Sequence, residues 1–235
     1  MTRHRPIVAA VDRPTEWPWA LHIDGGGWAH GQSGLVDSGE LARAGITTFD
    51  AVPRDLDTSQ HPAAMLDAER ALRWVLGHRV DQSLDAQAGL LVGSGTGAHS
   101  LLSAYCGSPA LRREFMPAAI VVVDPAVDPY TTWLRTGQSG DEGLAAFFGS
   151  PERMRRAVVA EQILDGVAAR LPDLTILETG AFSGPPESID ELSHAWRRAG
   201  GRVTRRADVA DRSREIGATL ASARIDRPNA EEALR

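Results

Sequence analysis

No lysine occurs anywhere in the 235 residues, so every one of the 25 basic residues is an arginine. A Schiff base with substrate and a lysine anchor for pyridoxal phosphate are therefore excluded, and no cofactor is expected. Cys106 is the only cysteine, which rules out a disulfide framework and any cysteine-based metal cluster. The scattered His, Asp and Glu residues show no metal-ligand spacing, so no metal is expected either. After His194 the chain contains no histidine at all. Met1-Thr-Arg-His-Arg-Pro lacks the apolar stretch of a signal peptide, and no run approaches the roughly 18 apolar residues of a membrane span. A net charge of −6 and a pI near 5.6 argue against nucleic acid or an anionic membrane as partner. The expectation is a cytoplasmic protein that takes a small-molecule substrate or ligand, with a homodimer as a possible assembly.

What is present is an alternation of short apolar runs with longer amphipathic stretches. Strands are expected at residues 19–23, 46–52, 89–92, 118–124, 173–179 and 202–207. Helices are expected around 40–44 and over 62–76, 98–106, 187–199 and 212–223, with Trp74 on the apolar face of the second and Gly77 as its stop. Ala118-Ala-Ile-Val-Val-Val-Asp124 is almost continuously apolar, the mark of a strand buried on both faces. This order predicts an α/β fold with a doubly wound, mostly parallel sheet and helices on both faces. Residues 1–225 are expected to form a single domain, and 226–235 a tail. Ligands on such sheets sit beyond the carboxyl ends of the strands.

Gly89-Leu-Leu-Val-Gly-Ser-Gly-Thr-Gly-Ala-His99 combines an apolar strand, a tight glycine turn and a helix start. That is the setting of a nucleophile elbow, Gly-x-Ser-x-Gly. Aligned on Gly93 and Gly97, the nucleophile position is Gly95, which has no hydroxyl to acylate. Two further segments carry a resemblance in the same order: Asp24-Gly-Gly-Gly-Trp28-Ala-His-Gly31 and His61-Pro-Ala-Ala-Met-Leu-Asp67-Ala-Glu-Arg-Ala-Leu-Arg-Trp74-Val. The chain thus resembles the α/β-hydrolase superfamily, in particular the hormone-sensitive-lipase-like esterases and bacterial kynurenine-formamidase-like hydrolases, over roughly residues 8 to 223. The resemblance implies an α/β-hydrolase fold with a minimal lid. It also locates the catalytic positions, and each is replaced. Asp24 stands for the loop histidine, Gly95 for the nucleophile and Ser183 for the acid, while Asp211 or Arg212 lies nearest the missing histidine.

What the resemblance preserves is an anion-binding backbone. The amides of Gly25, Gly26, Gly27 and Thr96 are expected to converge on an oxyanion, and Gly95 is expected to leave space above the turn. Asp24, at the strand end, is the candidate general acid or base, although a carboxylate accepting loop amides is the commoner role there. His22 alternates with Asp24 and shares its face, where a satisfied core histidine is the plainer reading. Ser94 and Thr96 flank the elbow; Ser94 is turned away from its apex, with no base expected nearby. His99 is expected to pack, and His30 to be a solvated loop residue or a pocket wall. Ser94, Tyr130 and Trp133 are expected to line a pocket, and Trp28 to wall it or pack under the loop. Two functional classes follow. One is a repurposed non-hydrolytic enzyme (a cyclase, isomerase, dehydratase or lyase) with a retained oxyanion hole. The other is a catalytically silent pseudo-hydrolase that binds a ligand or partner protein. A pocket that keeps ordered donors and aromatic walls would favour the first, and a pocket collapsed around Trp28 and Phe182 the second.

Overall fold

The computed structural model describes residues 2–4, 17–26, 28, 34–54, 58–136, 142–166, 170–181 and 184–225. The apolar runs become the strands β1 (Thr2–His4), β2 (Trp17–Ile23), β3 (Thr47–Ala51), β4 (Leu84–Ser94), β5 (Ala119–Val123), β6 (Leu174–Leu177) and β7 (Val203–Arg206). They form one sheet in the order β1-β3-β2-β4-β5-β6-β7. Only β1 runs antiparallel, against β3; every other neighbouring pair is parallel.

Strand alternation divides the core into two layers. Leu21, Ile23, Ile120, Val122, Leu174 and Ile176 face one way. Ala20, Leu90, Val92, Val121, Val123 and Leu177 face the other. The first layer is covered by α2 (Ala63–His78), α3 (Gly95–Gly107), α4 (Pro109–Glu114), α8 (Val159–Gly166) and α9 (Pro186–Arg198), through residues such as Leu72, Leu101, Leu111, Ile163 and Leu192. The second is covered by α1 (Ser38–Arg43) and α10 (Arg212–Ile225), through Leu41, Ile216 and Leu220. Each large aliphatic side chain buried this way contributes roughly 1.5–3 kcal/mol.

Two features differ from the sequence expectation. Trp74 is 43% exposed and stacks on His78. The buried stripe of α2 is Ala64, Ala68, Leu72 and Val75, and Trp74 lies two residues, roughly 200° of helix, beyond Leu72. The helix also continues through Gly77 to His78. The second difference lies between β5 and α8, where the minimal lid is a layer of three short helices: α5 (Pro129–Arg135), α6 (Glu142–Phe148) and α7 (Pro151–Arg156). Each has six or seven residues, too few for a 3.6-residue periodicity to stand out.

Candidate functional site

The strand–turn–helix junction forms at the expected place, with β4 ending at Ser94 and α3 starting at Gly95. Gly95 has φ +51°, a conformation costing a residue with a side chain about 1–3 kcal/mol. Strain is the smaller obstacle. A Cβ at position 95 would lie 2.2 Å from the Gly25 carbonyl oxygen and 2.3 Å from that of Gly26. The space above the elbow is not empty, as the sequence suggested; the glycine loop fills it with backbone. The packing is equally close on the other side of the contact. A Cβ at Gly25 would meet the Gly97 nitrogen at 2.4 Å, and one at Gly97 would meet the Ile23 oxygen at 2.2 Å. Glycines on both partners let main chain rest on main chain.

The same contact occupies the expected anion hole. The Thr96 amide donates to the Gly26 carbonyl at 2.8 Å. Gly25 and Gly26 turn carbonyl oxygens toward Gly95, the reverse of an oxyanion-binding polarity. Of the donors expected to converge there, the Thr96 amide is taken up by this internal hydrogen bond. Gly27 and His30 lie outside the described residues.

Asp24 is half-buried, and its contacts among the described residues include Ser94 and Gly34. Ser94 Oγ donates to its Oδ1 at 2.6 Å, and the Gly34 amide donates to Oδ2 at 3.3 Å. Ser94 is fully buried, and contrary to expectation it has an imidazole beside it, since His22 Nε2 lies 3.3 Å from its Oγ. His22 Nδ1 is 3.0 Å from Asp50 Oδ1, which also accepts from Ser38 Oγ at 2.5 Å. The chain Ser38–Asp50–His22–Ser94–Asp24 thus crosses the carboxyl ends of β3, β2 and β4. Strand pairing builds it: His22 lies opposite Asp50, and Ile23 opposite Gly93. The sequence alone does not link Ser94 to His22, or His22 through Asp50 to Ser38. The only signal was the shared alternation of His22 and Asp24.

Beside the start of α3, His99 joins an aromatic cluster. Trp28 meets His99 edge-on with ring centroids 5.1 Å apart, and Phe148 at 5.4 Å. Phe147, Met154 and Ala157 from the lid segment close around it, with Tyr130 and Trp133 packed alongside. The structure thus brings Trp28, Tyr130 and Trp133 together in one cluster, with Trp28 buried and Tyr130 and Trp133 partly buried. His99 Nε2 donates to the Ala157 carbonyl at 2.8 Å. Burial pushes His99 down to about 4 against that hydrogen bond, and nearby His61 adds to the shift. His61 is lowered as well, first by burial and then by Arg153. Both are neutral packing groups. The buried Trp28 indole nitrogen has no acceptor among the described residues.

The resemblance marks two further positions, Asp211 and Ser183. Asp211 accepts the Arg214 amide at 2.9 Å and caps α10 in an exposed position. Ser183 and Phe182 lie outside the described residues. A residue not singled out beforehand organises this end of the sheet. Buried Asp124, with φ +41°, accepts the amides of Thr179 (2.7 Å) and Ala181 (3.2 Å) and the Thr179 hydroxyl. It borders a cleft of about 160 Å³ with Glu178 and Ile189. Among the described residues, no group of three or more His, Cys, Asp or Glu stands together to hold a metal, and no helix is long and apolar enough to cross a membrane.

No protein-family model matches the sequence, and no curated protein matches it. Solved structures do resemble it. EstE7, a hormone-sensitive-lipase homologue from a metagenome library, gives a TM-score of 0.69 at 18% identity, over 92% of this chain and 81% of that one. Esterase B from Lactobacillus rhamnosis gives 0.73 at 17%, over 94% and 81%. A lipase/esterase from Lactobacillus plantarum gives 0.67 at 17%, over 88% and 86%. Likeness at this level of identity establishes the fold, which is that of the α/β-hydrolases.

Proposed function

We propose that this protein is a catalytically silent α/β-hydrolase-fold protein that binds a ligand or a partner protein. The observation that carries the reading is the Gly26 carbonyl on the Thr96 amide, beneath a loop that leaves no room for a side chain at Gly95. An acyl-transfer centre needs a nucleophile, a base and donors aimed at the developing oxyanion. Gly95 offers no nucleophile, and the donor next to it is engaged internally. The aromatic packing of Trp28 with His99 and Phe148, beside the start of α3, supports the same reading.

A second reading is favoured by one feature, the half-buried carboxylate of Asp24 at the end of a buried polar chain. In that reading the protein is a non-hydrolytic enzyme and Asp24 moves a proton. Asp24→Asn would then still bind substrate and lose most turnover, since positioned acid–base groups contribute roughly a hundred- to ten-thousand-fold.

Hydrolysis of activated aryl esters by the purified protein separates the silent reading from an esterase. The expected result is a rate no higher than that of a folded protein without an active site, in the parent and in Gly95→Ser alike. A saturable reaction with a burst of released phenol would overturn it.

A further inference from the structure

We propose that the polar chain running from Asp50 through His22 and Ser94 to Asp24 is a lock that fastens the glycine loop shut on the elbow. The proposal builds on the closed elbow described above and assigns to these four residues the task of keeping it closed. The glycines permit the contact, because no Cβ at positions 25, 95 or 97 intrudes. Permission alone does not hold a loop in place, and a fastening is needed.

Asp24 supplies it by gripping in two directions. Its Oδ1 takes the Ser94 hydroxyl at 2.6 Å, which ties the start of the loop to the end of β4. Its Oδ2 takes the Gly34 amide at 3.3 Å, which ties in the backbone ten residues further on. Gly25 and Gly26 follow Asp24 directly, so a fixed carboxylate fixes where their carbonyls fall. Ser94 is in turn held by His22 at 3.3 Å, and His22 by Asp50 at 3.0 Å. Ser38, at the start of α1, closes the far end on Asp50. Hydrogen bonds to ionised groups are the stronger kind, and in a buried network each member orients the next.

Ser94, His22 and Asp50 also have the connectivity of a nucleophile, a base and an orienting acid. Two observations favour fastening over nucleophilic attack. Ser94 is fully buried, and its hydroxyl is closer to Asp24, at 2.6 Å, than to the His22 nitrogen at 3.3 Å. An attacking serine must reach a substrate carbonyl and give its proton to the imidazole.

The test is amide hydrogen exchange at Thr96, followed by NMR in the whole protein. Ser94→Ala cuts the tether, and Thr96 should exchange at least about tenfold faster, the factor that about 1.4 kcal/mol of lost closure produces. Leu91 and Val121, in the sheet, should keep their parent rates. Ser103→Ala is the control, because this buried α3 hydroxyl has no hydrogen-bond partner among the described residues; it should leave Thr96 unchanged. His22→Leu cuts the chain one link further away, should give a smaller acceleration, and tests the lock even where Ser94→Ala does not fold. A parent-like Thr96 rate in a folded Ser94→Ala or His22→Leu protein would overturn the lock alone. Incubation of the parent with an activated organophosphonate should yield no adduct. An adduct on Ser94 would overturn both the lock and the silent reading.

Discussion

The Gly26 carbonyl accepts the Thr96 amide at 2.8 Å, so the chain itself occupies the position from which a hydrolase would address its oxyanion. The space over the elbow is filled from within, by Gly25 and Gly26, whose backbone approaches closer than any side chain at position 95 allows.

Substitution at the elbow should therefore be a stability experiment. Gly95→Ala combines an unfavourable φ with a Cβ 2.2 Å from a backbone oxygen. Strain and overpacking together should lower unfolding free energy by about 2–5 kcal/mol, read by chemical denaturation. A loss below about 0.5 kcal/mol would mean that the loop does not rest on Gly95.

Acid should weaken the fold through the aromatic cluster. His99 and His61 are held neutral, with lowered pKa values, so the unfolded chain binds protons that the folded one refuses. Stability rises with pH wherever that holds. The contribution is complete above pH 6.5 and fades as pH falls from 6.5 toward 4. For His99 alone, the shift from 6.5 to about 4 corresponds to roughly 3 kcal/mol. His99→Gln keeps a donor for Ala157 but does not titrate, so its stability should change less over this window. Identical slopes for the variant and the parent would contradict the assignment.

The tryptophans should differ in their tolerance of phenylalanine. Trp196 is fully buried and donates to the Pro172 carbonyl at 2.7 Å, whereas the Trp28 indole has no acceptor among the described residues. Removing an unsatisfied donor recovers part of its desolvation cost of about 1–3 kcal/mol. Trp28→Phe should thus be milder than Trp196→Phe by at least about 1 kcal/mol in thermal or urea unfolding. Equal losses would point to a partner for the Trp28 indole.

Asp124 should matter through its carboxylate. Asparagine tolerates its positive φ but would turn an amide group toward the Thr179 and Ala181 donors. Asp124→Asn should cost about 1–3 kcal/mol. A neutral outcome would show that the turn after β6 holds without it.

The strands were legible because Ala118–Asp124 and residues 19–23 are apolar over lengths that a buried parallel sheet uses. Gly95 was legible because glycine spacing marks the turn. The polar chain was not: Ser94 and His22 are 72 residues apart, and His22 and Asp50 are 28 apart. Only strand register brings them together. Nor could the sequence tell whether the loop glycines would present amides or carbonyls, since glycine permits both orientations. The lid helices escaped because each spans too few turns for its apolar face to repeat.

The central claim is tested most directly by amide exchange at Thr96 in the unaltered protein. If the Gly26 carbonyl holds this amide, Thr96 should be protected to the same degree as the Leu91 and Val121 amides inside the sheet. Added acetate should leave both its rate and its resonance unchanged. Fast exchange at Thr96, or a saturable shift of its resonance with acetate, would show an open anion hole and contradict the account.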